Sequence, residues 1–477
     1  MGLIFHIRRQ YKVLITASVL AFVSGIALHA RETVGLVLSG GGAKGIAHIG
    51  VIQALEDNDI PIDYITGTSM GAIVGGLYAA GYTPDEMMEM ILSPQFSYWS
   101  TGRIDPSLTF YFNREIASPS MFSVSLNKGI TGADSVPQSL ISGIPMSFAF
   151  MDMFSAYTAQ CGGDFDRLFV PYRSVASNVE GKHKHVFRGG KLSDAIRASM
   201  SFPIVFQPIA VNDTLLYDGG IYDNFPVDVM REDFAPSIMI GVNVSASSPR
   251  GPSTSIMDQL DRLVMQGHVK PLSEEEGVYM RIMLDRFSLL DFPRAREIYK
   301  IGYDYAMSMM DTIRTRITER TSHDVRRQRR EVFKAETPYL RFDKVEVTGG
   351  TPRQNEYITY LFRPESGCDT IGVARARDAF YRAVSSGKIR DLFPQASYND
   401  TTGLFTLDLK AYVKGRFKGS LGGYITSSTS SYLYVGAGYS SMSFSSLDAS
   451  IGAWIGQTTM AGLFNGAFFC ILRCRRR

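Results

Sequence analysis

The sequence predicts an α/β fold, a mainly parallel sheet covered by helices, followed by a small α+β domain and the start of a β-barrel. Three observations carry this. From Thr33 to about Thr318, short apolar runs alternate with stretches of helical spacing, the pattern of a parallel sheet with helices on its faces. From Tyr339 to Val413 the order becomes β-α-α-β-β, which suits a small separate domain. From Arg416 onward the composition shifts to Gly, Ser and aromatics, with apolar residues at every second position, as in lipid-facing barrel strands.

The chain has 477 residues, enough for roughly two to four domains. An apolar fraction of 45% and a charged fraction of 20% are ordinary for a globular chain. A net charge of +3 predicts no nucleic-acid partner. Cys161, Cys368, Cys470 and Cys474 are scattered. They form neither a disulfide framework nor a zinc-finger spacing, and no metal is expected.

The elements follow in order. In residues 1–30, Arg8, Arg9 and Lys12 precede the apolar run Val13–Leu28, and small residues follow at Gly25-Ile26-Ala27 and Ala30. This is the layout of a secretory signal peptide cleaved near Ala27 or Ala30. The rival is a membrane anchor, for which the run is short. Export from a bacterial cytoplasm is therefore expected.

Residues 31–320 form the first domain. Val34–Ser39 is a buried strand, Ile46–Glu56 a helix with Ile49, Ile52 and Leu55 on one side, Tyr64–Gly67 a second strand and Ala72–Ala80 a second helix. Further strands are expected at Tyr172–Ser177, His185–Arg188, Leu215–Tyr217 and Ile238–Val244. Residues 321–337 turn polar and basic, with Arg326-Arg327-Gln328-Arg329-Arg330. A solvated helix end and linker is favoured there over a nucleic-acid patch. In the unit at 338–413, Phe342–Val347 alternates as a strand. Helical stretches follow at Arg353–Leu361 and Val373–Ser385, then strands at Ala396–Asn399 and Leu404–Val413 around a turn at Asp400–Gly403.

In 414–477, Phe417, Leu421 and Ile425 share a parity with Gly419 and Gly423. Leu433, Val435, Ala437 and Tyr439 repeat the pattern, as do Leu447, Ala449, Ile451, Ala453 and Ile455. A soluble antiparallel sheet with one buried face would alternate in the same way. The upstream signal peptide favours the outer membrane.

The chemistry is concentrated in three short motifs. Gly40-Gly41-Gly42-Ala43-Lys44-Gly45 follows a strand and satisfies G-x-G-x-x-G. A dinucleotide site is one reading, with Asp57, Asp59 or Asp63 on the ribose. A P-loop is excluded, because the G-K-[ST] ending is missing. The next strand runs into Ile65-Thr66-Gly67-Thr68-Ser69-Met70-Gly71. This is a G-x-S-x-G elbow that presents Ser69 on a sharp turn before a helix, whose dipole favours an alkoxide. A dinucleotide fold has no use for this second motif. The plain alternative for Ser69 is a helix N-cap.

A serine needs a base. Of seven histidines, His6 and His29 fall in the signal region and His48 is read as a packing residue. His183 and His185 suggest an exposed hairpin, with no carboxylate or cysteine to complete a metal site. His268 and His323 lie in polar helical stretches. None stands in a triad setting. A carboxylate does: Leu215-Leu216-Tyr217 runs into Asp218-Gly219-Gly220. Strand ends of parallel sheets are where sites form; the plain alternative is a turn. With the elbow upstream, Asp218 is the candidate proton acceptor. The Met- and Phe-rich segment Ile141–Tyr157 is read either as an acyl groove or lipid contact, or as a buried core helix.

These motifs in this order, with Ala195-Ile196-Arg197-Ala198-Ser199-Met200-Ser201-Phe202-Pro203 before the aspartate, resemble the patatin-like phospholipases. That family comprises serine lipid acyl hydrolases with a Ser–Asp dyad. Lys44 stands where arginine is frequent and keeps the positive charge. The resemblance implies an oxyanion hole at Gly40, Gly41, Gly42, Ala43, Lys44 and Gly45, with the Gly41 and Gly42 N–H groups as donors. It implies an elbow of Gly67, Thr68, Met70 and Gly71 around the nucleophile Ser69. Asp218, followed by Gly219 and Gly220, takes the proton directly or through water, and water later cleaves the acyl-enzyme. The substrate it implies is a phospholipid or other acyl-ester lipid, with no cofactor. An aspartate is a weaker base than histidine, so such a site depends on preorganised dipoles.

The 338–413 unit resembles a POTRA domain by its layout and by Phe342-Asp343-Lys344-Val345-Glu346-Val347-Thr348-Gly349. The whole order resembles the type Vd autotransporter phospholipases, whose partner is the outer membrane and whose catalytic domain is periplasmic or at the cell surface. One departure stands out. About four strands precede Arg477 where closure needs at least eight, and Cys470–Arg477 breaks the alternation. A truncated barrel is expected. The competing functions are an outer-membrane transport or assembly protein with a non-catalytic patatin domain, and a dinucleotide-binding enzyme.

Overall fold

In the computed structural model, residues 31–109, 120–126, 139–245, 272–364, 367–424, 431–456 and 460–470 are described. The expected signal peptide lies outside them. The first domain contains β1 (Val34–Leu38), β2 (Tyr64–Thr68), β3 (Ser120–Leu126), β4 (Tyr172–Asn178), β5 (His183–Phe187), β6 (Ile209–Val211), β7 (Thr214–Asp218), β8 (Ile238–Asn243) and β9 (Gly277–Arg281). All but β3 join one eight-stranded sheet, ordered β6-β7-β4-β2-β1-β8-β9 with β5 on β4. The run from β4 through β9 is parallel. β5, β6 and β7 enter antiparallel, so the strand that ends in Asp218 is not part of the parallel set.

β1 lies inside the sheet between β2 and β8, and its residues are buried without alternation. That is the mark of a strand covered on both faces. The covering helices are α1 (Ala47–Asp57), α2 (Met70–Ala79), α3 (Pro84–Leu92), α4 (Pro94–Thr101), α5 (Ile144–Gln160), α6 (Leu192–Ser199), α7 (Val227–Asp233), α8 (Ala295–Ser308) and α9 (Met310–Arg316). Among the described residues, no helix is long and apolar enough to cross a membrane.

Residues 321–337 correct the sequence reading. They form α10 (His323–Ala335), capped by the Ser322 hydroxyl, and the helix packs back onto the first domain. Arg326 and Arg330 are buried. The Arg330 Nη2 donates to Glu56 Oε1 at 2.8 Å, and the Arg326 Nη1 donates to the Glu56 carbonyl at 3.1 Å. Tyr78 of α2 donates its hydroxyl to the same Glu56 Oε1 at 2.7 Å. The basic run divides by helical face. Arg326 and Arg330, four residues apart, turn inward, while Arg327 and Glu331 stay in solvent.

The second domain contains β10 (Arg341–Thr348), α11 (Pro352–Leu361), β11 (Ile371–Gly372), α12 (Val373–Val384), β12 (Ile389–Asn399) and β13 (Leu404–Val413). Its sheet is ordered β11-β10-β13-β12. β12 begins at Ile389 rather than Ala396. Pro394 hides this in the sequence, yet β12 is an edge strand, where proline is tolerated.

The two domains meet on α5. Ile144, Phe148 and Met151 enter the core of the second domain, with the Phe148 ring 4.8 Å from that of Phe380. Beside them Lys191 Nζ donates to Gln395 Oε1 at 2.7 Å, and Gln395 Nε2 donates to Asp194 Oδ2 at 2.7 Å. Burial pushes the Asp194 carboxyl up to about 6 from its ordinary 3.8, against the pull of Lys191. The folded state therefore holds this proton more firmly than the unfolded chain. The stability linked to it is fully present below pH 3.8 and is lost as pH rises through about 6. Asp194→Asn is expected to flatten thermal melting between pH 4 and 6 and to melt above wild type at pH 7. An unchanged slope would contradict this.

The C-terminal strands β14 (Phe417–Tyr424), β15 (Tyr432–Ser440), β16 (Ser445–Gly456) and β17 (Met460–Cys470) form an antiparallel meander. The sequence suggests four strands here; the structure adds a fifth, because β3 of the first domain pairs with β14. The order is β17-β16-β15-β14-β3. One register row runs Val124, Gly419, Ala437, Ile451, Phe464. Phe122, Leu421 and Val435 share the next row on that face. The large apolar residues of both rows are exposed, while Tyr434 is buried on the other side against Gly436 and Gly452. Among the described residues this sheet does not close, and no barrel is formed.

Candidate active site

The glycine loop leaves the C-terminal end of β1 and winds into a short 3₁₀ turn, Gly42–Ile46, before α1. Several bonds hold it. Ser39 N donates to the Val242 carbonyl at 3.1 Å, Gly40 N to the Asn224 carbonyl at 3.0 Å, Ala43 N to the Leu289 carbonyl at 2.8 Å and Lys44 N to the Gly41 carbonyl at 3.2 Å. His48 is buried, and burial pushes its imidazole down to about 4. The neutral ring sits with Nε2 2.8 Å from the Ser39 carbonyl, so this histidine supports the loop from behind. Gly42 has φ +55°, and a Cβ there would stand 2.5 Å from the Leu289 carbonyl oxygen; only glycine fits. Of the six loop residues singled out in the sequence, Gly40, Ala43 and Lys44 thus have their N–H groups taken by the protein. Gly45 packs against Met70. Among the described residues, no acceptor takes the N–H of Gly41 or Gly42.

Ser69 sits between β2 and α2 with φ 54° and ψ −120°, a backbone geometry that a residue with a Cβ rarely adopts. A Cβ on Gly71 would lie 2.5 Å from the Leu38 carbonyl, which is how closely the start of α2 passes over the end of β1. The Ser69 side chain makes no helix cap. Its Oγ instead donates to Asp218 Oδ2 at 2.7 Å. The other carboxylate oxygen accepts from Gly220 N at 2.8 Å, so the turn and the contact with Ser69 coexist on one side chain. Strand register explains the meeting. Thr68 is level with Val175 on β4, and the next β4 residue, Ala176, is level with Asp218. β4 therefore sets Ser69 and Asp218 at one height. Asp218 is fully buried and Ser69 nearly so.

Two neighbours escape a reading of the motifs alone. Ser199, at the end of α6, accepts the Ser69 N–H at 2.9 Å and donates to the Val175 carbonyl. It lies inside the segment Ala195–Pro203 that the resemblance singles out, but nothing local gives its role. Asn224 lies beyond the Asp218 turn, and its backbone carbonyl holds Gly40.

The pair opens onto a cavity of about 530 Å³. Met146, Phe150, Met153 and Phe154 line it from α5, with Ile73 and Leu77 from α2. Ser69, Asp218 and Asn224 mark a polar end. One face of this helix lines the cavity and the opposite face is buried core, the second of the two readings of Ile141–Tyr157. The acids of the dinucleotide reading lie elsewhere. Asp63 accepts from Val34 N at 2.9 Å at the start of β1, the end away from the glycine loop. Asp57 accepts from Gln53 and Tyr303, and the Asp59 carbonyl accepts from Thr321 N. His183 and His185 occupy the β5 hairpin, and among the described residues no group of three His, Cys, Asp or Glu could hold a metal.

Comparison with known proteins adds to this geometry. Residues 36–231 match the family described as patatin-like phospholipase. The chain is 30% identical over 305 residues to the lysophospholipase NTE1 of Candida albicans, a match covering 58% of this chain and 20% of that protein. It is 29% identical over 305 residues to the lysophospholipase NTE1 of Saccharomyces cerevisiae, covering 57% of this chain and 16% of that one. The chain thus spans a fifth or less of the length of these relatives. Among solved structures it is similar to VipD from Legionella pneumophila at a TM-score of 0.36 and 16% identity, covering 60% of this chain and 68% of that one.

Proposed function

We propose that this chain, whose residues 36–231 carry a patatin-like phospholipase domain, is a serine lipid acyl hydrolase. The observation that carries the reading is the 2.7 Å contact from the Ser69 hydroxyl to the buried Asp218 carboxylate at the polar end of an apolar cavity. In this mechanism Asp218 accepts the Ser69 proton as Oγ attacks an ester carbonyl. The N–H groups of Gly41 and Gly42 receive the oxyanion, and the acyl chain occupies the cavity. The alcohol leaves with a proton, and water then cleaves the acyl-enzyme by the same route in reverse. The cavity is lined mostly by apolar side chains with a few polar groups at one end, as sites for largely apolar ligands are. The same reading makes the substrate a phospholipid or related acyl ester.

The reading extends to location. Export, a POTRA-like second domain and association with the outer membrane are proposed together, as in type Vd autotransporter phospholipases. Support comes from the exposed apolar rows of the C-terminal sheet, which form a patch of the kind that marks membrane or protein contacts.

The test is release of free fatty acid from a lysophospholipid by the purified full chain, with mass spectrometry for an acyl group on Ser69. Release at the rate of buffer alone would reject the hydrolase. Recovery of the expressed chain in the soluble periplasm, rather than in the outer-membrane fraction, would reject the proposed location.

A further inference from the structure

The side chain of Asn224 is buried at the centre of the site, and among the described residues it has no hydrogen-bond partner. Its Oδ1 is enclosed without a donor. Its place is fixed closely: a Cβ on Gly40 would lie 2.3 Å from Asn224 Oδ1 and 3.1 Å from Ser69 Cβ. The amide therefore lies between the glycine loop and the nucleophile. Among the described residues nothing accepts from its nitrogen, and Asn224 lines the cavity together with Ser69 and Asp218. Buried polar groups in folded proteins almost always find a partner, so one without a partner asks for an explanation.

We propose that Asn224 is a catalytic residue of this site. Its amide N–H donates to the ester oxygen as that oxygen becomes negative, as a third donor beside the N–H groups of Gly41 and Gly42. A donor held ready in a water-poor site, without a partner in the resting state, stabilises charge that appears only in the transition state. The backbone of the same residue positions the loop, because its carbonyl accepts from Gly40 N at 3.0 Å. One residue thereby ties both halves of the oxyanion site to the Asp218 turn. The inference rests on the proposal that Ser69 attacks an ester.

The test is Asn224→Leu in the full chain, assayed on an acyl ester. Loss of one oxyanion donor lowers kcat by about 10²–10³-fold, and KM is expected to change little. A trifluoromethyl ketone, which forms a tetrahedral oxyanion adduct on the serine, is expected to bind more weakly by a similar factor. Melting is expected to stay at or above wild type, because the change removes a buried group that had no partner. A purely structural role predicts lower melting with ketone affinity retained. Asn224→Ala removes the same donor without branching bulk, so a leucine that fails to fold leaves the question open to the alanine. Unchanged kcat in a folded variant, or a loss confined to KM, would overturn the proposal. Labelling of wild-type Ser69 with a fluorophosphonate separates the two levels. Without labelling the hydrolase reading itself fails; with labelling and unchanged kcat only the role of Asn224 fails.

Discussion

Ser69→Ala is expected to lower ester turnover by about 10⁴-fold or more, because the covalent route closes and only binding and the oxyanion site remain. Asp218→Asn keeps the shape of the side chain and removes the base. A loss of about 10²–10⁴-fold is expected there, and the double variant should be little worse than Ser69→Ala, since the two groups act as a unit. Stability supplies an independent check. Ser69 holds φ 54° and ψ −120°, and alanine keeps the Cβ that makes this conformation unfavourable. Glycine releases it. Both variants lose the hydroxyl bond to Asp218, so their difference isolates the backbone. Ser69→Gly is expected to be more stable than Ser69→Ala by about 1–2 kcal/mol, strain relief less the entropy of glycine. Steady-state kinetics and urea unfolding measure the two effects. Turnover by Ser69→Ala near wild type would remove the hydroxyl from the mechanism.

The second large effect lies away from the chemistry. Glu56 is the carboxylate facing two buried guanidinium groups, at 2.8 Å from Arg330 and 3.9 Å from Arg326. Removing one partner of a buried ion pair strands the other in a medium that solvates it poorly, at a cost of about 3–5 kcal/mol. Glu56→Leu is expected to fall in this range by urea unfolding. Replacing Glu56, Arg326 and Arg330 together with apolar residues should recover most of the loss, because no charge is then left stranded. A loss close to zero in the single variant would mean that α10 can swing its arginines back into water. Tyr78 of α2 also donates to Glu56, so the single variant should lower activity as well, by loosening the helix that follows Ser69.

The parts of this site that a sequence shows are those built from neighbours in the chain. The glycine loop, the elbow around Ser69 and the Asp-Gly-Gly turn each need special backbone within a few residues, and that need leaves a local mark. The meeting of Ser69 with Asp218 depends on the register of β4, and no run of residues announces a register. Ser199 and Asn224 are ordinary polar residues until the fold brings them beside the nucleophile. The basic run at 326–330 misleads for a related reason. Its composition says solvent, while its spacing of four between Arg326 and Arg330 places two charges on the buried face opposite Glu56. Pro394 masks the first half of β12 because an edge strand tolerates what a central one would not. The strand at 120–126 was invisible as part of the last sheet, since its partner lies some three hundred residues later, at 417–422.

Helix α5 has a consequence of its own. Met146, Phe150, Met153 and Phe154 form a wall of the chamber, while Ile144, Phe148 and Met151 are gripped by the neighbouring domain. A rigid rod shared in this way cannot adjust to one neighbour without disturbing the other. The width of the chamber is therefore set partly by a domain that does not line it, and with an acyl chain in the chamber as proposed, a transplant of the first domain onto a foreign carrier is expected to alter chain-length preference with no change at Ser69 and Asp218.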